Sequence, residues 1–346
     1  HRDLHSFPTR RSSDLTAPVA LDSVSPCEKS RAIAQSLLNS EKKAIFLGNV
    51  AEQIALAGQL HALAAELSRL TGATLGFIGE AANSVGGHVA KALPTGLNAY
   101  EMFVQPRKAY VLLGLEPELD CANPGMAVNA LKQASLVVTL TPFKSEGAID
   151  YADVLLPVAA FAETSGTFVS SEGRVQVVGG LCRPQGEARP GWKVLRVLGN
   201  MLALPGFDYE STEQVRDEVI PSGTEFVEGL DNSVELNIQS IDLPQAGLQR
   251  IADVPIYFAD PLVRRAASLQ QTKDAAAPTA RMNPSTLADI GVAAGASVRV
   301  RQASDEAVLL AFADPAIPPG CVRVAAAHPT TAMLGDMFGT INVERA

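Results

Sequence analysis

The chain of 346 residues has few of the side chains that usually hold metals. It contains 4 cysteines and 5 histidines, and no two cysteines form a C-x-x-C pair. Iron–sulfur and zinc sites draw several ligands from closely spaced cysteines. The sequence therefore predicts no metal site in this chain, and four ordinary reduced thiols at Cys27, Cys121, Cys182 and Cys321.

Long apolar runs and an excess of positive charge are also missing. No apolar stretch approaches the ~20 residues that a membrane-spanning helix needs. The formal net charge is -9, whereas nucleic-acid binding requires clustered lysine and arginine. We therefore expect no nucleic-acid partner and no direct insertion into a membrane.

Residues 1–15, HRDLHSFPTRRSSDL, have neither hydrophobic periodicity nor the apolar core of a signal peptide. Their back-translation looks like a common short-read sequencing adapter. We predict that this stretch is artefactual and disordered and that the natural start of the protein is missing. The alternative is a natural basic arm that binds nucleic acid.

The middle of the chain alternates short apolar strands with helices. The pattern predicts helices at 30–38, 51–70, 126–132 and 191–204, and strands at 43–47, 74–78, 109–113, 136–140 and 154–157. This order is typical of a parallel, Rossmann-like sheet with helices on both faces. A hairpin is predicted around a turn at 170–173.

The last part of the chain changes character. Strands predicted at 297–301, 307–312 and 321–325 are separated by turns rich in proline and glycine, which favours a small β-barrel. We therefore predict an α/β domain at 16–206, a linker or insertion at 207–279 and a β-barrel at 280–346.

Two segments are candidates for a site. The glycine-rich residues 76–88 follow a strand but lack the spacing of a dinucleotide-binding loop, so we favour a tight turn there. Within residues 152–176, Glu163, Glu172 and Arg174 lie close in sequence. We expect Arg174 to pair with one of the two carboxylates and hold the hairpin. The alternative is a pair of carboxylates that act as acid and base.

The pattern A-D-V-x-L-P, E-x-x-G-T and E-G-R-x-Q in residues 152–176 resembles the molybdopterin oxidoreductase superfamily, which includes DMSO reductase and formate dehydrogenase. Residues 112–117, LLGLEP, are similar to a strand end of the same domain. Residues 282–300 resemble the start of its C-terminal double-psi barrel. The resemblance implies this α/β fold with its barrel.

Two further segments resemble one particular family within this superfamily. Residues 80–94, EAANSVGGHVAKALP, and 254–272, VPIYFADPLVRRAASLQQT, resemble the large iron–sulfur subunit family of bacterial NADH:quinone oxidoreductases, or respiratory complex I. The chain also has Ser170-Ser171 where molybdenum enzymes often carry asparagine before E-G-R, which weakens the case for a bound pterin.

The resemblance implies a fragment of the large iron–sulfur subunit of a proton-translocating respiratory complex that passes electrons from NADH to quinone. The fragment would be a non-catalytic scaffold with no cofactor of its own. The [4Fe-4S] and [2Fe-2S] clusters would lie in the missing upstream part, and no molybdopterin is expected. Its partners would be other subunits, including the NADH-binding one, and it would lie peripherally on the cytoplasmic face of the bacterial inner membrane.

Two alternatives remain open at this point. The first is a fragment of a true molybdopterin enzyme of the formate dehydrogenase or nitrate reductase type. The second is a stand-alone nucleotide-binding module. If a pterin is bound, the resemblance places the candidates in the hairpin segment, at Glu163, Gly166, Thr167, Glu172, Gly173 and Arg174.

Overall fold

The structure is a computed structural model that describes residues 24–79, 81–220, 224, 226, 238 and 247–346. The prediction for residues 1–15 lies outside this part of the chain. The described residues form two compact units. The first contains 24–79, 81–84, 171–173, 226 and 238, and the second contains 85–170, 174–220, 224 and 247–346. The sequence instead predicted one α/β domain across 16–206.

The first unit is built around a short parallel pair of strands. Its elements are α1 (Glu28–Asn39), β1 (Ala44–Leu47), α2 (Asn49–Gln53), α3 (Ala57–Thr71) and β2 (Thr74–Phe77), and α4 (Ser84–Val89) follows. Leu47 of β1 and Leu75 of β2 pack with Ala64 of α3 to form the core. The single helix predicted at 51–70 is divided in two because Ile54 adopts an extended conformation and ends α2.

The second unit begins with a three-stranded parallel sheet in the order β3-β4-β5. Tyr110, Leu112 and Val137 face its main core, where they pack against Leu131 and Ala148 of neighbouring helices. The elements are α5 (Ala99–Val104), β3 (Ala109–Leu113), α6 (Pro117–Asp120), α7 (Pro124–Lys132), β4 (Leu136–Thr141), α8 (Glu146–Tyr151) and β5 (Val154–Pro157). Because the strands are parallel, their carboxyl ends share one edge of the sheet.

A hairpin and two helices follow the sheet. They are β6 (Gly166–Val169), β7 (Val175–Val178), α9 (Gly191–Met201) and α10 (Thr212–Val219). The two strands pair antiparallel, as predicted for the hairpin. Helix α10 corrects the prediction of an irregular linker, because the Ser211 side chain accepts the N–H of Gln214 and caps a helix there.

A closed barrel completes the second unit, in the strand order β10-β11-β9-β12-β8-β13. Its elements are β8 (Leu248–Ile251), α11 (Pro261–Arg264), α12 (Ala267–Gln270), β9 (Ala280–Met282), α13 (Pro284–Asp289), β10 (Ser297–Gln302), β11 (Asp305–Ala313), β12 (Cys321–Arg323) and β13 (Phe338–Arg345). Strand β11 turns Ala307, Leu309 and Ala311 inward and exposes the residues between them, as the period of a strand requires.

The barrel also corrects the predicted domain boundary. Strand β8 lies within residues 207–279, which were predicted to be a linker, yet it pairs with β12 and β13. The pairing partners of β8 lie about 70 to 90 positions further along the chain, where a local pattern cannot reveal them. Over the described residues, no helix combines the length and the apolar character needed to cross a membrane.

Candidate functional site

The hairpin segment contains the candidate residues from the sequence, but the ion pair predicted there does not form. Arg174 is exposed and forms no ion pair with any carboxylate among the described residues. Glu163 instead accepts the N–H of Ala160 at 3.0 Å. The hairpin is closed by Ser170, whose backbone N–H donates to the carbonyl of Arg174 at 3.0 Å and whose hydroxyl accepts the N–H of Arg174 at 3.3 Å. The predicted pairing of Arg174 was therefore wrong.

The other pterin candidates of this segment lie in strand β6 and in the turn that follows it. Gly166 and Thr167 begin strand β6, and Glu172 is exposed in the turn. Gly173 has φ +79°, a conformation that favours glycine. A molybdopterin dinucleotide, the cofactor that the resemblance implies, needs several donors directed at its phosphates. Glu163 is engaged in its own turn and Arg174 is exposed, so these two side chains do not form an assembled set of phosphate donors in the described chain.

A different cluster of charged residues is buried and closely paired. Arg264 Nη1 donates to Glu116 Oε2 at 3.0 Å, and Arg264 Nη2 donates to Asp120. Arg265 Nη2 donates to the other oxygen of Glu116 at 2.5 Å. The side chains of Arg264 and Glu116 are 5% and 4% exposed, so this pair is removed from water. We call these four residues the clasp.

The clasp joins two of the segments that carry the family resemblance. Glu116 belongs to residues 112–117, LLGLEP, and both arginines belong to residues 254–272. Between 144 and 149 positions separate the partners along the chain. The sequence singled out both segments but could not show that they meet. The available signal was an adjacent pair of arginines in an otherwise largely uncharged stretch, which needs acidic partners if it is buried.

The backbone of residues 254–272 is shaped to present the two arginines. The Asp260 side chain caps α11 by accepting the N–H groups of Leu262 and Val263 at 2.7 and 3.0 Å. The Gln270 side chain donates to the carbonyls of Tyr257 and Val263, both at 2.9 Å. Asp260 and Gln270 thus form these hydrogen bonds within the segment and fix its backbone around the two arginines.

The clasp lies at the carboxyl edge of the parallel sheet. Glu116 follows the end of β3 by three residues, and Phe143 follows the end of β4 by two. The Arg265 guanidinium carbon lies 4.5 Å from the centroid of the Phe143 ring, within range of a cation–π contact. One arginine therefore bridges the loops that leave two neighbouring strands.

A third carboxyl group lies beside the clasp. Burial raises the pKa of Glu118, and the Tyr151 hydroxyl donates to Glu118 Oε2 at 3.2 Å. Burial also raises the pKa of Tyr151 and raises the pKa of the Cys121 thiol to about 11. A Cβ added at Gly147 would overlap the Glu118 carboxyl group, so that side chain would have to shift where α8 approaches it. A thiol with so high a pKa is a poor nucleophile at neutral pH.

A second buried guanidinium group lies inside the barrel. Arg250 is 2% exposed and donates to Gln302 Oε1 at 3.0 Å and to the carbonyls of Ala325 and Asp336 at 3.1 Å. Burial lowers its pKa to about 10. The Asn123 side chain donates to Asp336 Oδ1 at 2.9 Å and ties the sheet region to the same barrel loop. Arg250 thus connects several segments of the barrel through its hydrogen bonds.

Similarity to known proteins extends over much of the sequence. The sequence profile of molybdopterin oxidoreductase matches residues 26–201, just over half of the chain. Nitrate reductase of Synechocystis is 28% identical over 130 residues, which are 36% of this chain and 18% of that protein. The 78 kDa subunit of mitochondrial NADH-ubiquinone oxidoreductase from Candida albicans is 42% identical over 73 residues, or 20% of this chain and 10% of that subunit.

A solved structure shares the fold. Acetylene hydratase from Pelobacter acetylenicus aligns with a TM-score of 0.52 and 17% identity, over 71% of this chain and 46% of its own. The chain thus spans less than half the length of each of these proteins, and the activity and partners of the whole protein are proposals. The profile match and the parallel sheet with a C-terminal barrel lead to one conclusion: this chain belongs to the molybdopterin oxidoreductase family.

Proposed function

We propose that this chain is part of the large iron–sulfur subunit of a proton-translocating NADH:quinone oxidoreductase, and that it serves there as a non-catalytic scaffold. The observation that carries the proposal is the clasp. Residues 254–272, one of the two segments that resemble this large subunit, direct both of their adjacent arginines onto the chain's own carboxylates, Glu116 and Asp120. A motif whose charged groups form ion pairs within the chain supports a structural role.

The comparison with known proteins supports the same proposal. The match to the NADH-ubiquinone oxidoreductase subunit of Candida albicans has a higher identity, 42%, than the 28% of the nitrate reductase match. In this proposal electrons travel from NADH to quinone through [4Fe-4S] and [2Fe-2S] clusters held elsewhere in the intact subunit. The described chain would hold neither a cluster nor a molybdopterin.

The proposal also assigns partners and a location. The scaffold would bind other subunits of the complex, including the NADH-binding subunit, and would reach the cytoplasmic face of the bacterial inner membrane through them. The acidic composition, with a formal net charge of -9, does not favour nucleic acid as a partner.

A fragment of a true molybdopterin enzyme is the second candidate. The match to nitrate reductase favours it, because that match extends over 130 residues and the match to the NADH-ubiquinone oxidoreductase subunit over only 73. The two candidates differ in what the intact protein must contain. A molybdopterin enzyme requires stoichiometric molybdenum and pterin, whereas the scaffold requires neither.

The test is the composition of the intact protein, purified anaerobically from its native source. We expect iron and acid-labile sulfide, less than stoichiometric molybdenum, no fluorescent pterin after oxidation, and co-purification with an NADH-oxidising subunit. Stoichiometric molybdenum with a pterin would refute the scaffold and establish the second candidate. Stable purification of the intact protein without any NADH-oxidising partner would also count against the proposal.

A matched pair of variants tests the scaffold role itself. Arg264→Ala removes the centre of the clasp, and Lys132→Ala removes an exposed pair with Asp150 at 2.5 Å in the same unit. We expect Arg264→Ala to lower the amount of assembled complex and its NADH:quinone activity together, with activity per assembled complex unchanged. Lys132→Ala should leave both at the wild-type level. A lower activity per assembled complex would indicate a catalytic role instead.

A further inference from the structure

The carboxyl edge of the β3-β4-β5 sheet is the place where an open parallel sheet ordinarily receives its ligand. In such folds, ligands bind in the crevice outside the carboxyl ends of the strands. In this chain the loop after β3 carries Glu116 and the loop after β4 carries Phe143. Both residues are already in contact with residues 254–272 rather than facing an open crevice.

We propose that the clasp is an internal plug that closes this edge to anionic ligands. The guanidinium groups of Arg264 and Arg265 have the chemistry that grips phosphate and carboxylate groups alike. Here Glu116 and Asp120 supply the anionic groups from within the chain, two negative charges for two positive ones. The ligand class excluded by the plug is a diphosphate, such as the one that joins the two halves of a dinucleotide.

Burial explains why an external ligand cannot easily displace these carboxylates. The Arg264 and Glu116 side chains are almost fully buried, and Asp120 is only slightly more accessible. The Asp120 side chain is also fixed locally, because its other oxygen accepts the N–H of Glu116 at 2.7 Å. A diphosphate would have to expel two buried, hydrogen-bonded carboxylates and leave them without partners.

The inference deepens the proposed scaffold function and rests on it, since a plugged ligand edge is what a cofactor-free scaffold permits. It makes a separate prediction, however. Neutralising the internal carboxylates should free both guanidinium groups and turn the clasp into a diphosphate site. Inorganic pyrophosphate is a sufficient probe, because it carries the charge without any base or pterin.

The experiment measures pyrophosphate binding by calorimetry and by the shift of the melting temperature, using the full chain. The proteins are wild type, the double variant Glu116→Gln/Asp120→Asn, and a control, Glu306→Gln, which neutralises the partner of exposed Arg301. We expect the double variant to bind at least ~10-fold more tightly than wild type, equivalent to about 1.4 kcal/mol. The control should behave as wild type, and adding Arg265→Ala to the double variant should abolish the gain.

Each other outcome overturns the plug. Wild type that binds pyrophosphate as tightly as the double variant, in a manner sensitive to Arg265→Ala, would show an open edge. A folded double variant that binds no better than wild type would show that the arginines are not a latent site. If the double variant does not fold, Asp120→Asn alone leaves Glu116 for both arginines, and a smaller gain is still required.

The two proposals can fail separately. An open edge in a protein that contains no molybdenum or pterin would refute the plug and leave the scaffold standing. Stoichiometric molybdenum and pterin in a protein whose clasp excludes pyrophosphate would refute the scaffold and leave the plug standing.

Discussion

Replacing Arg264 with alanine is the most direct test of how much the clasp stabilises the fold. Arg264 is bound to two carboxylates and donates its Nε–H to the carbonyl of Phe258 at 2.9 Å. The variant would leave Glu116 buried with Arg265 alone. Removing one partner of a buried ion pair costs roughly 3–5 kcal/mol, because the remaining charge stays in a region of low dielectric constant. We therefore expect the free energy of unfolding to fall by that amount.

Urea unfolding followed by tryptophan fluorescence is a suitable assay. Trp192 is the only tryptophan in the sequence and lies in α9, in the same unit as the clasp. Its signal therefore reports on the unfolding of that unit. The control is Lys132→Ala, which breaks an exposed pair and should cost about 1 kcal/mol or less. The midpoint should shift while the slope with urea concentration stays the same.

A conservative variant separates charge from geometry. Arg264→Lys keeps the positive charge but cannot reach Glu116, Asp120 and the Phe258 carbonyl with one planar group. Its free energy of unfolding should lie between that of wild type and that of Arg264→Ala. A loss from Arg264→Ala no larger than that from Lys132→Ala would refute the reasoning, since the clasp would then be energetically equivalent to a surface pair.

Three further predictions concern the other buried polar groups. Burial raises the pKa of Glu118 in the folded protein, so the contribution of Glu118 to stability is fully present below its unfolded pKa of about 4.3 and is lost as pH rises through the folded pKa. Glu118→Gln should flatten this part of the pH dependence and stabilise the protein at pH 7; an unchanged pH profile of unfolding would contradict it. Arg250→Met should cost on the order of 3 kcal/mol or more in thermal unfolding, because several buried carbonyl groups lose their donor; a loss below about 1 kcal/mol would contradict the assigned role. At pH 8, iodoacetamide should label exposed Cys182 well before Cys121, whose pKa is about 11, as followed by peptide mass spectrometry. Unfolding should make the two labelling rates equal, whereas equal rates in the folded protein would contradict the burial of Cys121.

The sheet could be predicted closely because its signals are local. The strand predicted at 109–113 coincides with β3, and the one predicted at 154–157 coincides with β5. Each is a short apolar run that ends at glycine or proline, and a run of this kind is decided by its own residues. The helix at 126–132 was recognised as well, although it begins two residues earlier at Pro124, where the Asn123 side chain supplies the cap.

The barrel was recognised as a class but not in its full extent. Strand β13, Phe338–Arg345, alternates only weakly between apolar and polar residues, and β8 is four residues long with a buried arginine at its third position. Arg250 makes β8 look like a surface segment. Its burial becomes possible only because carbonyl groups from residues 324, 325, 335 and 336 and the Gln302 side chain converge on it. That convergence is a property of the closed barrel.

The clasp also could not be predicted from local sequence, because its partners are far apart along the chain. The sequence drew attention to Arg174 and Glu163 because they lie eleven positions apart in one motif, and it passed over Glu116 and Arg264 because 148 positions separate them. Closeness in sequence favoured the pair that does not form. A search for buried charge would have done better, since an adjacent arginine pair next to Leu262 and Val263 demands acidic partners when it is packed inside.

Belonging to a family of cofactor enzymes does not by itself assign this chain a reaction, because the groups that decide chemistry must be free to act. At the carboxyl edge of the sheet, both guanidinium groups are held by Glu116 and Asp120, and Arg265 also covers Phe143. In the proposed plug, these two guanidinium groups are paired within the chain and are not offered to an external anion. Pyrophosphate binding therefore tests whether this edge is closed, whereas the molybdenum and pterin content of the intact protein decides between a catalytic and a supporting role.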